Sequence, residues 1–189
     1  MTHSGSPARI ALIRHGETDW NAAHKYQGQV DIPLNAAGKD QAAAAADALR
    51  TGEHSWDIAL VSPLSRARET AAAITTALDL RPAVINPLLI ERSFGVAEGM
   101  PRDEARERWP EGDIPEAETL AEVDLRVRDF LAQVAEQYAG QSVIVVCHVV
   151  IIRSIVRALT GEDPGFVGNG SVTQLVQDSA TAAMRIIPG

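Results

Sequence analysis

The sequence contains a single cysteine and no apolar run long enough to span a membrane. The lone Cys147 excludes an internal disulfide and predicts a reducing compartment, for which we expect the cytoplasm. The absence of a long apolar run excludes a membrane-spanning helix. A formal net charge of −8 leaves no basic excess, which argues against general affinity for nucleic acid or an anionic membrane surface.

The chain is also without internal repeats or a recognisable linker. Its 189 residues correspond to one domain with room for a substantial core. Residues 1–8 are polar and lack the apolar stretch of a signal peptide, so we expect a flexible leader there. A single domain is then expected over residues 9–189.

Short apolar runs that stop at turn or polar residues predict strands buried in a parallel sheet. The expected strands are 10–13, 57–62, 83–85 and 142–147, followed by a pair at 172–176 and 182–187 joined at Asp178-Ser179. Helices are expected between them, and this alternation predicts a three-layer α/β/α sandwich with a mostly parallel central sheet.

Capping residues and apolar spacing place the helices. Asn35 is expected to cap a helix over 36–50, and Pro63 is expected in the first turn of the next. Further helices are expected at 101–109, at 119–138 and from His148 to Gly161. The predicted buried stripe of the fourth helix consists of Leu120, Val123, Val127, Phe130, Val134 and Tyr138.

Two of the predicted strands run directly into a histidine. His15 follows the first strand beside Arg14, and His148 follows strand 142–147, while Arg66 lies in the first turn after strand 57–62. Ligands of parallel sheets bind beyond the carboxyl ends of the strands. We therefore expect these four side chains to meet at one sheet edge.

Two histidines and two arginines at one edge suit phosphoryl transfer through a phosphohistidine. Neutral imidazole is a nucleophile near pH 7, provided that its other nitrogen is held as a donor. Arg14, Arg66 and His148 would meet the charge on the phosphoryl oxygens, and Asn21 could add a neutral donor. The sequence contains no metal-ligand cluster, so no metal and no cofactor are expected.

The leaving alkoxide needs a proton, and a carboxyl group near the phosphate could supply it. Glu91 is the first candidate because it lies in a glycine-bounded loop at the expected edge. Glu17 and Glu98 remain alternatives from the residues alone.

An ordered set of motifs resembles the histidine phosphatase (phosphoglycerate mutase-like) superfamily, from Arg9 to about Val176. The motifs are Arg14-His15-Gly16-Glu17-Thr18, Asn21, Gln27-Gly28, Ser62-Pro63-Leu64-Ser65-Arg66-Ala67, Thr70, Glu91-Arg92, Phe94-Gly95, Glu98-Gly99, Glu118-Thr119 and His148.

The resemblance implies a role for each matched residue. It implies His15 as nucleophile and Glu91 as proton donor. It further implies phosphate ligands and substrate contacts: Arg14, Asn21, Arg66 and His148 for the phosphate, and Gln27 and Gly28 for the substrate.

One position departs from the resemblance. Val149 and Val150 follow His148, where family members usually carry glycine or another small residue. Branched side chains resist a positive φ and occupy space. The valines predict a distorted or narrowed site if close backbone approach is needed there, and are tolerated if only the direction of the N–H groups matters.

The sequence supports two enzymatic hypotheses and one non-enzymatic hypothesis. A metal-independent phosphomonoesterase acting on a small phosphate ester is favoured over a phosphoglycerate mutase, whose family members carry a longer, basic insertion. Segment 101–117 is short, and its net charge of −3 would hold a polyanion poorly. Its charges are Arg102, Arg106 and Arg108 against Asp103, Glu104, Glu107, Glu111, Asp113 and Glu116. The third hypothesis is a phospho-ligand binding protein, which only Val149-Val150 supports.

Overall fold

The computed structural model describes residues 7–178, 181 and 183–187, and it contains a six-stranded, mostly parallel sheet. In spatial order the strands are β3, β2, β4, β1, β5 and β6. The first four pair in parallel, and β5 alone among the described strands runs in the opposite direction, antiparallel to both β1 and β6. Their bounds are β1 Arg9–Arg14, β2 Ile58–Val61, β3 Val84–Ile85, β4 Ser142–Cys147, β5 Val172–Gln177 and β6 Met184–Ile187.

Helices cover both faces of the sheet. Alternate β4 residues point to opposite faces of the sheet. Val143 and Val145 pack with the helices Leu120–Gln137 and Val149–Thr160 on one face. Ile144 and Val146 pack with the helices Ala36–Thr51 and Ser65–Ala77 on the other. The result is a three-layer α/β/α sandwich with β4 in the centre, as the sequence predicts. The helices are α1 Asp19–Ala22, α2 Ala36–Thr51, α3 Ser65–Ala77, α4 Arg102–Arg108, α5 Leu120–Gln137 and α6 Val149–Thr160, with 3-10 turns at Pro87–Leu89 and Gly95–Ala97.

Several local predictions are corrected by the structure. Pro63 precedes α3, which begins at Ser65 after Leu64, because the chain stays extended at the N-cap. Leu120, expected in the buried stripe, is 50% exposed; it is the first residue of α5. The strand expected at 83–85 comprises only Val84–Ile85, and both of its residues are exposed at the sheet edge.

Both ends of the described chain bear on the predictions. Residues 1–6 of the expected leader lie outside the described residues, but Pro7 is buried, and Ala8 pairs through its backbone with Gln141 and Gln177. Ordered pairing therefore begins before residue 9. Ser179, half of the expected β5–β6 turn, also lies outside the described residues. Among the helices that are described, none combines the length and apolar character needed to cross a membrane.

Gly38 fixes how α2 approaches the segment after β1. A Cβ atom built on Gly38 would lie 2.0 Å from the Glu17 carbonyl oxygen, so the two backbones touch. The absence of a side chain at Gly38 thus allows α2 to pack closely against the loop that follows His15.

We predict that Gly38→Ala lowers the free energy of unfolding by about 1–3 kcal/mol through overpacking. This is opposite to the usual effect of alanine in a helix, which stabilises by up to about 1 kcal/mol. Urea unfolding measures the change. Gly52→Ala is the matched control, because its Cβ would meet nothing closer than 3.5 Å, and an equal effect of both substitutions would contradict the prediction.

Candidate active site

The pairing of β1 with β4 brings the two histidines together. Arg14 and Cys147 are register partners, and the His15 N–H donates to the Cys147 carbonyl at 3.1 Å. The rings of His15 and His148 consequently lie 5.1 Å apart, centroid to centroid. The expected convergence of strand ends is therefore observed. Cys147 itself is buried, and this burial raises the pKa of its thiol, so it is not an accessible nucleophile.

A cleft of about 450 Å³ opens at this sheet edge. Seven of the predicted site residues line it: Arg14, His15, Asn21, Gln27, Gly28, Arg66 and Glu91. His148 is fully buried next to the His15 ring and contributes no exposed surface to the cleft wall. The other lining residues are Tyr26, Phe94, Arg102, Arg106, Val149, Arg153, Phe166 and Val167.

A hydrogen bond to one nitrogen of the His15 ring leaves the lone pair on the other. Its Nδ1 lies 2.7 Å from the Gly16 carbonyl oxygen, which can only accept, so Nδ1 carries the proton. The lone pair is then on Nε2. Burial, together with Arg66 and Arg14, holds the pKa of His15 well below its usual value, which keeps the ring neutral and nucleophilic.

His148 is fixed through Ser62. Its Nε2 lies 2.7 Å from the Ser62 hydroxyl, which also accepts a hydrogen bond from the Leu64 N–H. The hydroxyl proton is thus available to Nε2, and Nδ1 then carries the ring proton. Burial and the nearby arginines lower the pKa of His148 as well. Nδ1 is buried without a hydrogen-bond partner among the described residues.

Arg14 and Arg66 are both anchored by backbone carbonyls. Arg14 Nη1 donates to the Val167 carbonyl at 2.8 Å. Arg66 is fully buried and donates from its two terminal nitrogens to the Val30 and Gly28 carbonyls at 2.8 and 2.7 Å. Each retains a buried Nε without a partner in the described part of the chain. Burial lowers the pKa of Arg14 to about 10.

Among the three carboxyl candidates, only Glu91 lies in the cleft. It is 6% exposed, and burial raises its pKa, against the lowering effect of the Arg92 N–H and the two arginines. Glu17 instead accepts from Asn35, and Glu98 accepts from the backbone of Gln29 and Phe94. A buried carboxyl group with a raised pKa can hold a proton for transfer.

The remaining predicted residues shape the cleft wall. Asn21 Oδ1 accepts from Thr18 and Asn169, which leaves its amide nitrogen for a ligand. Gln27 has a buried Oε1 without a partner among the residues described. Gly28 has φ +53°, and a Cβ there would lie 1.9 Å from Glu98 Oε1, so only glycine fits this turn.

The sequence prediction missed the segment between α6 and β5. Asn169 Nδ2 donates a hydrogen bond to the His15 carbonyl, and the Val167 carbonyl accepts one from the Arg14 guanidinium. Phe166 stands 92% exposed at the cleft. The signal available was the glycine-rich run of residues 165–170 directly before a strand, since such loops often carry function.

Val149 is accommodated without backbone strain. It is the first residue of α6 and is absent from the residues with positive φ that the structure describes. Its side chain lines the cleft. The valine therefore places a branched residue in the cleft wall without a positive φ at that position.

The net charge of segment 101–117 proved a poor guide to the cleft. Arg102 and Arg106, one helical turn apart on α4, line it, whereas the segment's acidic residues do not. Arg108 pairs with Glu104 on another side of the helix. The charge that a ligand meets is thus cationic, although the segment is acidic overall.

An α/β sandwich with two histidines and two arginines at one sheet edge defines the class to which the chain belongs. Residues 10–186 match the family model of the histidine phosphatase superfamily, branch 1. The chain belongs to this family and is an enzyme of the histidine phosphatase type.

Individual relatives include phosphatases and mutases. The chain is 43% identical over 159 residues to a Bacillus subtilis (strain 168) protein named as an uncharacterized phosphatase, PhoE, with 82% of this chain and 79% of the relative covered. It is 35% identical to a probable phosphoglycerate mutase, GpmB, of Yersinia enterocolitica, with 82% and 76% covered. A mycobacterial glucosyl-3-phosphoglycerate phosphatase solved with VO3 superposes with TM-score 0.80 at 25% identity, over 95% of this chain and 97% of that one.

We predict that Ser62→Ala lowers kcat about tenfold or more, since one hydrogen bond of about 1.5 kcal/mol that fixes His148 is lost. Steady-state hydrolysis of p-nitrophenyl phosphate measures the loss. Ser154→Ala is the matched control: this buried serine also bonds to a side chain, Asp124, but lies away from the cleft. It should lose stability while its turnover stays within about twofold; similar losses of turnover in both variants would contradict the prediction.

Proposed function

We propose that the protein is a metal-independent phosphomonoesterase that acts on a small phosphorylated metabolite through a phosphohistidine on His15. The observation that carries this proposal is a set of three buried nitrogen donors, Arg14 Nε, Arg66 Nε and His148 Nδ1, that have no partner within the described residues. Unpaired buried donors are unfavourable in isolation, and they come from three different elements around His15. A phosphoryl group has three terminal oxygens that accept hydrogen bonds, which makes it the matching ligand.

In the first step the Nε2 lone pair of His15 attacks phosphorus, and the bond from phosphorus to the leaving oxygen breaks. Glu91, whose pKa is raised by burial, is the proton donor and gives its proton to that oxygen. In this mechanism the developing negative charge on the phosphoryl oxygens is met by the arginines and His148.

In the second step a water molecule attacks the phosphohistidine. The Glu91 carboxylate takes the proton of the water, the bond from phosphorus to Nε2 breaks, and inorganic phosphate leaves. His15 and Glu91 return to their starting protonation states, so no metal or further base is required. Segment 101–117 is short, which supports access of water to the site.

A phosphoglycerate mutase is the second candidate. The mutase relative favours it, as do Arg102 and Arg106, the two arginines of segment 101–117 that line the cleft. The name of the Bacillus relative and that of the mycobacterial neighbour favour the phosphatase. Release of inorganic phosphate from 3-phosphoglycerate, without its conversion to 2-phosphoglycerate, distinguishes the two. A reducing, cytoplasmic location is part of the same proposal, and rests on the single buried Cys147.

We predict that turnover of a ³²P-labelled ester labels His15, and that activity survives excess EDTA. Phosphoramidates are acid-labile, so the label should be lost at low pH and should be absent from His15→Ala. His24→Ala, an exposed histidine outside the cleft, is the control and should retain the label. Label that persists in His15→Ala, or activity that a divalent ion must restore after chelation, would contradict the mechanism.

We predict that Glu91→Gln slows alkyl phosphates by about 10²–10⁴-fold and p-nitrophenyl phosphate much less, because nitrophenolate leaves without a proton. Glu91 acts protonated, and its pKa is raised, so wild-type activity on alkyl esters should fall as pH rises through that pKa. Glu91→Gln should lose this alkaline limb. Glu98→Gln is the comparison variant. The Glu98 carboxylate accepts hydrogen bonds from the backbone N–H groups of Gln29 and Phe94, so its loss should slow the hydrolysis of both substrates alike. Equal losses on both esters in Glu91→Gln would assign Glu91 a positioning role instead.

A further inference from the structure

The segment that carries Glu91 has little regular structure of its own. Residues 90–94 lie between the 3-10 turns Pro87–Leu89 and Gly95–Ala97, outside the helices and the strands of the sheet. The Glu91 carboxyl group accepts a hydrogen bond at 2.9 Å from the N–H of its own neighbour, Arg92, which does not tie it to another element. A proton donor has to be held within about 0.5 Å of its productive position. Contacts from elsewhere in the fold must therefore hold this segment.

A buried ion pair at the start of α5 lies against the segment. Arg126 and Glu118 form a fork of two hydrogen bonds, from Nε to Oε1 at 2.6 Å and from Nη2 to Oε2 at 2.8 Å. Their side chains are only 15% and 16% exposed. A planar guanidinium that binds both oxygens of a carboxylate is fixed in orientation as well as in distance. The pair is therefore a rigid support.

The pair contacts the chain on both sides of Glu91. On the N-terminal side, Nη1 of Arg126 donates to the Leu88 carbonyl at 2.8 Å. On the C-terminal side, the Glu118 carboxylate accepts from the Ser93 N–H at 3.3 Å, and the Glu118 N–H donates to the Ser93 carbonyl at 3.0 Å. Glu91 thus lies between two points that the same ion pair anchors.

The charge of Arg126 also reaches Glu91, although Arg126 is not among the residues that line the cleft. Burial raises the pKa of the Glu91 carboxyl group. The adjacent backbone N–H opposes this rise, as do Arg66 from α3, Arg14 from β1 and Arg126 from α5. On β4, the buried thiol of Cys147 lies close enough for the Glu91 charge to raise its pKa. Arg126 can therefore act on the reaction only through other residues, and Glu91 is the nearest one that transfers a proton.

We propose that Arg126 and Glu118 are positioning residues that hold Glu91 where it can protonate the leaving oxygen, so that proton transfer depends on an ion pair outside the cleft. This inference rests on the proposed role of Glu91 as proton donor and extends it. It also gives a purpose to two matched motifs that the mechanism leaves unused, Arg92 and Glu118-Thr119. Arg92 Nε donates to the Glu118 carbonyl at 2.6 Å and completes the attachment.

The first test varies the leaving group, because only a poor leaving group needs the proton. Arg126→Lys keeps the charge but cannot form the fork. It should lower kcat for glycerol 3-phosphate about 10- to 100-fold, and for p-nitrophenyl phosphate less than about threefold. Glu118→Gln breaks the same fork from the other side, since its amide nitrogen cannot accept, and should give the same pattern. Equal losses on both esters would overturn the proposal.

A double-mutant cycle shows whether the pair acts through Glu91. In Glu91→Gln the proton donor is already absent, so adding Arg126→Lys should change kcat for glycerol 3-phosphate by less than about twofold. A combined loss equal to the product of the two single losses would overturn the proposal. If Glu91→Gln alone slows both esters alike, the proton-donor role itself fails, and this inference fails with it.

Titration of the Glu91 carboxyl group by ¹³C NMR, with Glu91→Gln to identify its signal, needs no turnover. Arg126→Lys keeps a cation nearby but releases the segment, so water should reach the carboxyl group and its raised pKa should fall toward the ordinary value. The acid must be protonated to act, so the alkaline limb for glycerol 3-phosphate should move to lower pH. An unchanged pKa would overturn the proposal. If no ester is hydrolysed, the phosphatase proposal fails, and the titration still decides whether the ion pair fixes Glu91.

Asp124→Asn is the matched control on the same helix. Asp124 accepts from the Ser154 hydroxyl and pairs with Arg157 at 3.6 Å, away from the cleft. Its loss should leave the ratio of kcat for the two esters within about twofold of the wild-type ratio, and the pKa of Glu91 in place. Urea unfolding checks that each variant is folded under assay conditions. A change of the ratio in Asp124→Asn as large as that in Arg126→Lys would overturn the proposal.

Discussion

The parallel pairing of β1 with β4 is the constraint on which the active site depends. With Arg14 opposite Cys147, the next residues along the two strands are the histidines, and a backbone hydrogen bond from His15 to the Cys147 carbonyl fixes them. A slip of one residue would turn alternate side chains to the opposite face of the sheet. The apolar alternation of β4, buried on both faces, penalises such a slip, so the core determines the register that the chemistry needs.

A second constraint is electrostatic. Arg14, Arg66 and the two histidines are buried next to one another, and burial lowers the pKa of each. The fold maintains this arrangement because backbone carbonyls accept hydrogen bonds from both arginines. The Gly16 carbonyl and the Ser62 hydroxyl form hydrogen bonds with the His15 and His148 rings, respectively. In the proposed mechanism, folding thus positions these donors in advance for the phosphoryl oxygens, and the lowered pKa of His15 favours its neutral, nucleophilic form.

Prediction from sequence succeeded where local patterns decide the outcome. The order of the helices and strands and the position of His15 and His148 at strand ends follow from apolar runs and turn residues. It failed at residues whose environment is set by distant contacts. Leu120 matched the stripe but lies at a helix end, and the net charge of segment 101–117 concealed the arginines that α4 turns toward the cleft.

The sequence by itself determined the layered fold, the convergence of Arg14, His15, Arg66 and His148 at one sheet edge and the family, because periodicity and motif spacing are properties of neighbouring residues. Only the tertiary structure decided which carboxyl group is available, since Glu17 and Glu98 are engaged by partners distant in sequence. It also decided the charge of the cleft wall. That charge depends on which side of α4 and α6 faces His15, and packing of whole helices, rather than composition, sets that orientation.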